Sequence, residues 1–255
     1  MKQIRTTEDI KRLGTILFVA AHPDDETFLA GGIMAAAVKN GQNVICVTAT
    51  YGEAGNTQDE SKWPRAALGD VRRLELQRAL EELGVTEHSY FGYADGCCAA
   101  APEPQAIASL RAVIEQCRPD TILTFGPEGL TGHPDHRAVS AWTDAALQGS
   151  TRQVRVFHAV QTPENYETNM RLIDKKMNLF FNIDKPPLVP EAQCAIACHL
   201  PPGIEAQKKR ALAAMPSQTE ALFNAMPAGV VNRAFACEYF IDAAAQRVPA
   251  GKYRQ

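Results

Sequence analysis

Between residues 15 and 160, short apolar runs alternate with longer amphipathic stretches, and this alternation limits the fold more than any other feature of the chain. Such strand–helix–strand units feed a parallel sheet covered by crossover helices. Thr15–Ala21 reads as a first buried strand, and Thr27–Lys39 as the helix behind it, stopped at Asn40-Gly41. Asn43–Ala49, His88–Tyr93 and Thr121–Phe125 predict strands two to four, with helices from about Asp70 to Leu83 and over Pro104–Cys117 between them. A helix over His136–Leu147 and a fifth strand over Gln153–Val160 continue the series. Past residue 162, Pro186-Pro187, Pro190 and Pro201-Pro202 break the pattern, leaving a helix from about Ile204 to Ala214 and a late strand near Arg233–Ile241. There is no repeat, low-complexity tract or linker. The expected architecture is one α/β, Rossmann-like domain over residues 1–255, with a mostly parallel sheet over about 14–160 and a pocket-capping region over about 161–255.

Composition narrows the function classes. The 255 residues carry 26 Lys+Arg against 29 Asp+Glu, a formal charge of -3 with no dense basic block, which gives no electrostatic footprint for nucleic acid. The apolar runs Thr15–Ala21 and Gly31–Val38 fall short of the ~18–20 residues of a membrane span. The first fourteen residues are charged and lack the apolar centre of a secretory signal, and the seven cysteines form no disulfide framework, so a cytoplasmic protein with reduced thiols is expected. Cys194-x3-Cys198-His199 has no second pair to complete a metal cluster, and buried thiols around a strand are the simpler reading.

The chemistry sits in two loops. Ala21-His22-Pro23-Asp24-Asp25-Glu26 follows strand one, and Gly132-His133-Pro134-Asp135-His136 follows strand four. In a doubly wound sheet these two strands flank the point where strand order reverses, so the clusters are expected to meet. Alone, either cluster could be a helix N-terminus capped by Asp24, Asp25 or Asp135. Three of the chain's six histidines in these loops are harder to attribute to capping. Imidazole and carboxylate suit Zn2+, and a catalytic zinc keeps three protein ligands. His22 and Asp25, three residues apart across a Pro-stiffened turn, with His136 from the facing loop, fill those places. Asp24 then points away from the ion as a candidate general base, and His133 is placed to stabilise an oxyanion and protonate a leaving nitrogen. Asp135 is suited to orienting His133.

These residues resemble the LmbE/PIG-L family of zinc-dependent N-deacetylases, which includes enzymes acting on N-acetylglucosaminyl conjugates. AHPDDE at 21–26 and HPDH at 133–136 match its two signature motifs, and Thr48–Gly55, Arg72-x-x-Glu75-Leu76 and Asp95-Gly96 extend the similarity over about residues 14–145. The resemblance implies His22, Asp25 and His136 as metal ligands, Asp24 as base and His133 as electrostatic catalyst. It further implies Arg72, Asp95 and Glu53 as substrate contacts. Two positions depart from the family: Met215 precedes Pro216-Ser217-Gln218 where members often carry His, and Thr131 stands where some carry Tyr.

The sequence thus predicts a hydrolase with one Zn2+, or another divalent metal, that removes an acetyl or similar acyl group from an amino-sugar-like small molecule. A metal-dependent phosphoesterase and a non-catalytic sugar- or nucleotide-binding protein are the alternatives. A phosphoesterase would more often need carboxylates for a second metal, and a pure binding site has no use for Asp24 and His133 beside the ligands. Phe180-Phe181 offers either an apolar surface for self-association or a core pair.

Overall fold

A computed structural model describes residues 2–57, 59–184 and 186–245. The elements run β1 (Ile16–Ala20), α1 (Asp25–Lys39), β2 (Val44–Thr50), α2 (Leu68–Leu83), β3 (Glu87–Tyr93), α3 (Glu103–Cys117), β4 (Thr121–Phe125), α4 (Gly129–Gly132), α5 (Pro134–Leu147) and β5 (Arg155–Ala159). Then follow α6 (Pro163–Asn165), α7 (Arg171–Met177), β6 (Ile196–His199), α8 (Pro202–Ala213), α9 (Pro216–Ala225), α10 (Val230–Ala234) and β7 (Cys237–Asp242).

The sheet order is β3-β2-β1-β4-β5-β7-β6. The first five strands are parallel, and β7 runs antiparallel to both β5 and β6. Every residue of β1, β2 and β4 is buried, which explains why their sequences read as continuous apolar runs. From β1 the chain steps outward through β2 to β3, then returns and steps the other way through β4 and β5. Right-handed crossovers therefore place α1 and α2 on one face and α3 and α5 on the other. The packing agrees, with α8 against α1 and α2, and α3 against α5. The order reverses between β1 and β4, so a crevice opens at their carboxyl ends.

The late region does more than cap the pocket, since it contributes β6 and β7 to the same sheet. Cys198 is buried within β6 and Cys194 just before it, while His199 is exposed and meets the Glu191 carboxylate at 3.2 Å. That segment is a strand, as the simpler reading had it. Phe180 is buried and Phe181 is exposed. Among the described residues no helix is long and apolar enough to cross a membrane.

Candidate metal and active site

The two loops meet at the β1/β4 crevice. His22 Nδ1 lies 3.2 Å from His136 Nε2, His136 Nε2 lies 3.3 Å from Asp25 Oδ1, and His22 Nδ1 lies 3.7 Å from Asp25 Oδ2. Ligands held at about 2.0–2.1 Å on one tetrahedral ion sit about 3.3 Å apart, so this is the spacing of a ligand set. The surrounding hydrogen bonds leave the same atoms as acceptors. His136 Nδ1 donates to the Gly129 carbonyl at 3.0 Å. His22 Nε2 faces Asp95 Oδ1 at 3.1 Å and Asp135 Oδ2 at 3.2 Å. When neutral, each ring therefore carries its proton on the far nitrogen, and partners of this kind orient metal-binding histidines. Two imidazole lone pairs and a carboxylate aimed at one point repel one another unless a cation or a proton lies among them.

The electrostatics say the same. Burial works against a charge on His22, but hydrogen bonds to Asp135 and Asp95 and the Asp25 carboxylate outweigh it and raise its pKa to about 10. Asp25 is held well below the usual carboxylate range in spite of burial, chiefly by His136. The pocket demands positive charge, and its donor set fits a divalent ion such as zinc.

Local sequence explains the turn. Asp25 reaches back so that Oδ2 accepts from the backbone N–H of Ala21 at 3.1 Å and of His22 at 2.8 Å, pinning the chain as it leaves β1. Asp24 stands at the N-cap of α1 with φ 141° and ψ -28°, and its side chain makes no capping bond. The Arg72 guanidinium holds it instead, donating from Nη2 to Asp24 Oδ2 at 3.2 Å and to the Pro23 carbonyl at 2.8 Å. Burial raises the Asp24 pKa to about 6, with Arg72 opposing. Glu26, fully buried, accepts the Asp24 N–H at 3.2 Å and the Thr27 hydroxyl at 2.5 Å.

His133 is the N-cap of α5, where its Nδ1 accepts the Asp135 N–H at 3.2 Å. A neutral ring then carries its proton on Nε2. Burial, with the nearby His22 and His136, pushes its pKa down to about 4. Nitrogens of His22, His133 and His136 lie within 4.8 Å of one another.

Three expectations about roles change in detail. Asp135 does not orient His133 through its carboxylate. That group is fully buried, accepts from Gly96 N–H at 2.7 Å and Cys98 N–H at 3.0 Å, and faces His22. Asp95 braces the same histidine and accepts the Ala54 N–H at 2.9 Å with its other oxygen. Arg72 directs its donors into the chain, adding the Gly52 carbonyl at 2.8 Å to its Pro23 and Asp24 partners. Glu53 Oε1 accepts the Asp95 N–H at 2.9 Å, while Oε2 is buried with no partner among the described residues. Met215 is buried.

Sequence reasoning passed over the role of Glu26, the backbone donors Gly96 and Cys98, the Gly129 carbonyl, and Phe125, which stacks on His136 at 4.0 Å between centroids. The third consecutive acid of Asp24-Asp25-Glu26 was the available signal for the first of these. Backbone groups leave no such signal.

Residues 17–147 match the family model described as PIG-L, GlcNAc-PI de-N-acetylase. A 1D-myo-inositol 2-acetamido-2-deoxy-alpha-D-glucopyranoside deacetylase of Actinosynnema mirum is 32% identical over 202 residues, covering 71% of each chain. The enzyme of that name from Mycolicibacterium vanbaalenii is 37% identical over 160 residues, covering 54% of this chain and 56% of its own. Among solved structures, a deacetylase triple mutant of the teicoplanin biosynthetic pathway superposes with a TM-score of 0.64 at 18% identity, over 89% of this chain and 97% of that one. A 4-carboxy-2-hydroxymuconate hydratase from Pseudomonas putida superposes at 0.58 and 18% identity, over 92% and 98%, so the fold alone does not decide the chemistry. Signature motifs, ligand geometry and sequence relatives point one way: the chain belongs to the PIG-L (GlcNAc-PI de-N-acetylase) family.

Proposed function

We propose that the protein is a divalent-metal-dependent hydrolase that removes an acetyl group from the amide nitrogen of an amino-sugar-like small molecule, giving carboxylate and free amine. The observation that carries this reading is the convergence of His22 Nδ1, Asp25 and His136 Nε2, with Asp24 next to Asp25 in the chain and a nitrogen of His133 within 4.8 Å of those of His22 and His136. The relatives of 32% and 37% identity bear the name of a deacetylase of an acetamido-sugar conjugate, which favours an amide over a phosphate ester.

His22, Asp25 and His136 would hold the ion, with zinc the best match to two imidazoles and one carboxylate. A bound ion of this kind supplies Lewis acidity toward the amide carbonyl and makes water easier to deprotonate. Asp24 takes the proton of the attacking water, and the elevated pKa that burial gives it suits a group that must pick up a proton and pass it on. His133, neutral with its proton on Nε2, donates a hydrogen bond to the carbonyl oxygen as that oxygen gains charge. Proton delivery to the departing amine ends the cycle. Asp135 and Asp95 act behind the triad by fixing His22. Of the expected substrate contacts, Glu53 has an acceptor still available for a sugar hydroxyl, while Arg72 and Asp95 form the wall on which that substrate would rest. The proposal keeps the expected cytoplasmic location.

The test is acetate release from a panel of N-acetylated amino sugars and their conjugates before chelation, after chelation and after zinc is restored. Activity should vanish on chelation and return with zinc. Undiminished activity in protein shown to be metal-free would overturn the reading.

A further inference from the structure

Asp24 occupies a backbone conformation that an L residue rarely adopts, with φ 141°. Strain of this kind persists only where the surroundings enforce it. Two side chains from outside the residue do so. Arg72 grips the Pro23 carbonyl and the Asp24 carboxylate. Glu26 accepts the Asp24 N–H on Oε2 and the Thr27 hydroxyl on Oε1.

Glu26 is hard to explain by stability alone. Its side chain is fully buried, forms no ion pair among the described residues, and follows directly on the carboxylates of Asp24 and Asp25. Burying a carboxyl among carboxylates without a cationic partner is unfavourable. A Glu early in a helix can bond the N-cap N–H as an ordinary cap, but there the backbone is relaxed and the side chain is commonly at the surface. Here the bond lands on the one residue of the turn that is strained and that carries the candidate base.

We infer that Glu26 is a positioning residue: by accepting the Asp24 N–H it holds the strained turn so that the Asp24 carboxylate faces the reacting water. This rests on the proposed deacetylase reading. It implies that the acceptor oxygen matters more than the charge. Gln keeps an oxygen for the Asp24 N–H, and its amide can donate to the Thr27 hydroxyl. Asp keeps the charge but shortens the reach by one methylene.

The experiment compares Glu26→Ala, Glu26→Asp and Glu26→Gln in the full zinc-loaded chain, alone and in an Asp24→Ala background. Misplacing a reacting group by about 1 Å costs about 100-fold in rate. Glu26→Ala and Glu26→Asp should therefore lower kcat by about 10- to 100-fold with KM and zinc content little changed. Glu26→Gln should stay within about threefold of wild type. In the Asp24→Ala background, Glu26→Ala should leave the residual kcat unchanged, because its effect runs through Asp24. Hydrogen exchange of the Asp24 amide, followed in protein labelled with 15N-aspartate, should speed up in Glu26→Ala and not in Glu26→Gln.

The inference is overturned if Glu26→Gln is as damaging as Glu26→Asp, if the kcat loss persists undiminished in the Asp24→Ala background, or if zinc is lost instead. Should Glu26→Ala not fold, the contrast between Asp and Gln decides. If the wild type releases no acetate, the functional reading fails by itself. Asp24 amide exchange then decides the Glu26 inference, and equal protection in Glu26→Asp and wild type sinks it.

Discussion

His22 Nδ1 and His136 Nε2 face each other at 3.2 Å, with Asp135 behind the first ring and the Gly129 carbonyl behind the second. From this arrangement follows a graded set of metal affinities. His22→Ala and His136→Ala each remove a ligand and should abolish stoichiometric zinc binding. Asp135→Ala leaves all three proposed ligands but removes one of the two carboxylates, with Asp95, that hold the His22 ring, and partners of this kind are worth about 10- to 100-fold in affinity. Titration against a chromophoric chelator ranks the variants. An Asp135→Ala protein that binds zinc as tightly as wild type would refute the role given to Asp135.

Asp24 lies outside the triad, and Asp24→Asn should retain zinc while kcat falls by about 100- to 10,000-fold. Its pKa of about 6 sets the pH dependence. The base form is required, so kcat/KM should climb with pH up to about 6 and level off above. A bound cation favours the carboxylate and can only move that limb lower. The sign for stability is opposite. A folded-state pKa raised above 3.8 is a contribution present below that value and lost as pH rises through about 6. In metal-free protein at pH 8, Asp24→Asn should therefore raise Tm, while in the zinc-loaded protein the same substitution lowers kcat. A lowered Tm with turnover intact would contradict both halves.

β1, β2 and β4 were legible because burial on both faces writes itself into sequence as largely apolar runs, and the less buried β3 and β5 because strand–helix alternation and parallel crossovers leave few topologies open. β6 and α9 were not. Ile196–His199 is a four-residue strand among prolines, too short to show a period, and α9 starts at Pro216, which reads as a break but fits the first turn of a helix. The proposed ligands stood out as rare residue types at two strand ends. Their supports were less so: Gly96, Cys98 and Gly129 act through backbone atoms, and Arg72, expected as a substrate contact, directs its guanidinium to Asp24 and to the Gly52 and Pro23 carbonyls.

Gly52 tests that dependence. It has φ +68°, and a Cβ there would fall 2.3 Å from Arg72 Nη1. Gly52→Ala should cost about 1–2 kcal/mol in stability from the backbone alone and push Arg72 off Asp24, with kcat down by about tenfold or more. Gly41 is the control, since its φ is +78° and a Cβ there would meet nothing within 4 Å. Gly41→Ala should show a similar loss of stability and unchanged kcat. Equal kcat in the two variants would show that Arg72 placement is irrelevant to turnover.

Lys208 Nζ and Glu238 Oε1 are 2.7 Å apart with side chains 2% and 1% exposed, well away in sequence from the two His/Asp loops. The pair ties three elements together. Glu238 accepts the Gly32 and Ile33 N–H groups of α1, each at 2.7 Å, and Lys208 of α8 donates to the Phe28 carbonyl at 2.8 Å and the Phe235 carbonyl at 3.2 Å. Removing one member strands the other charge in the core, so Lys208→Met should cost about 3–5 kcal/mol in urea unfolding. Adding Glu238→Gln to that variant removes the stranded charge and keeps an acceptor for an α1 N–H, so the double variant should unfold at higher urea than Lys208→Met alone. Additive losses would mean that the two side chains act independently, and that α1, the helix carrying Asp24 and Asp25, is not anchored by their pairing.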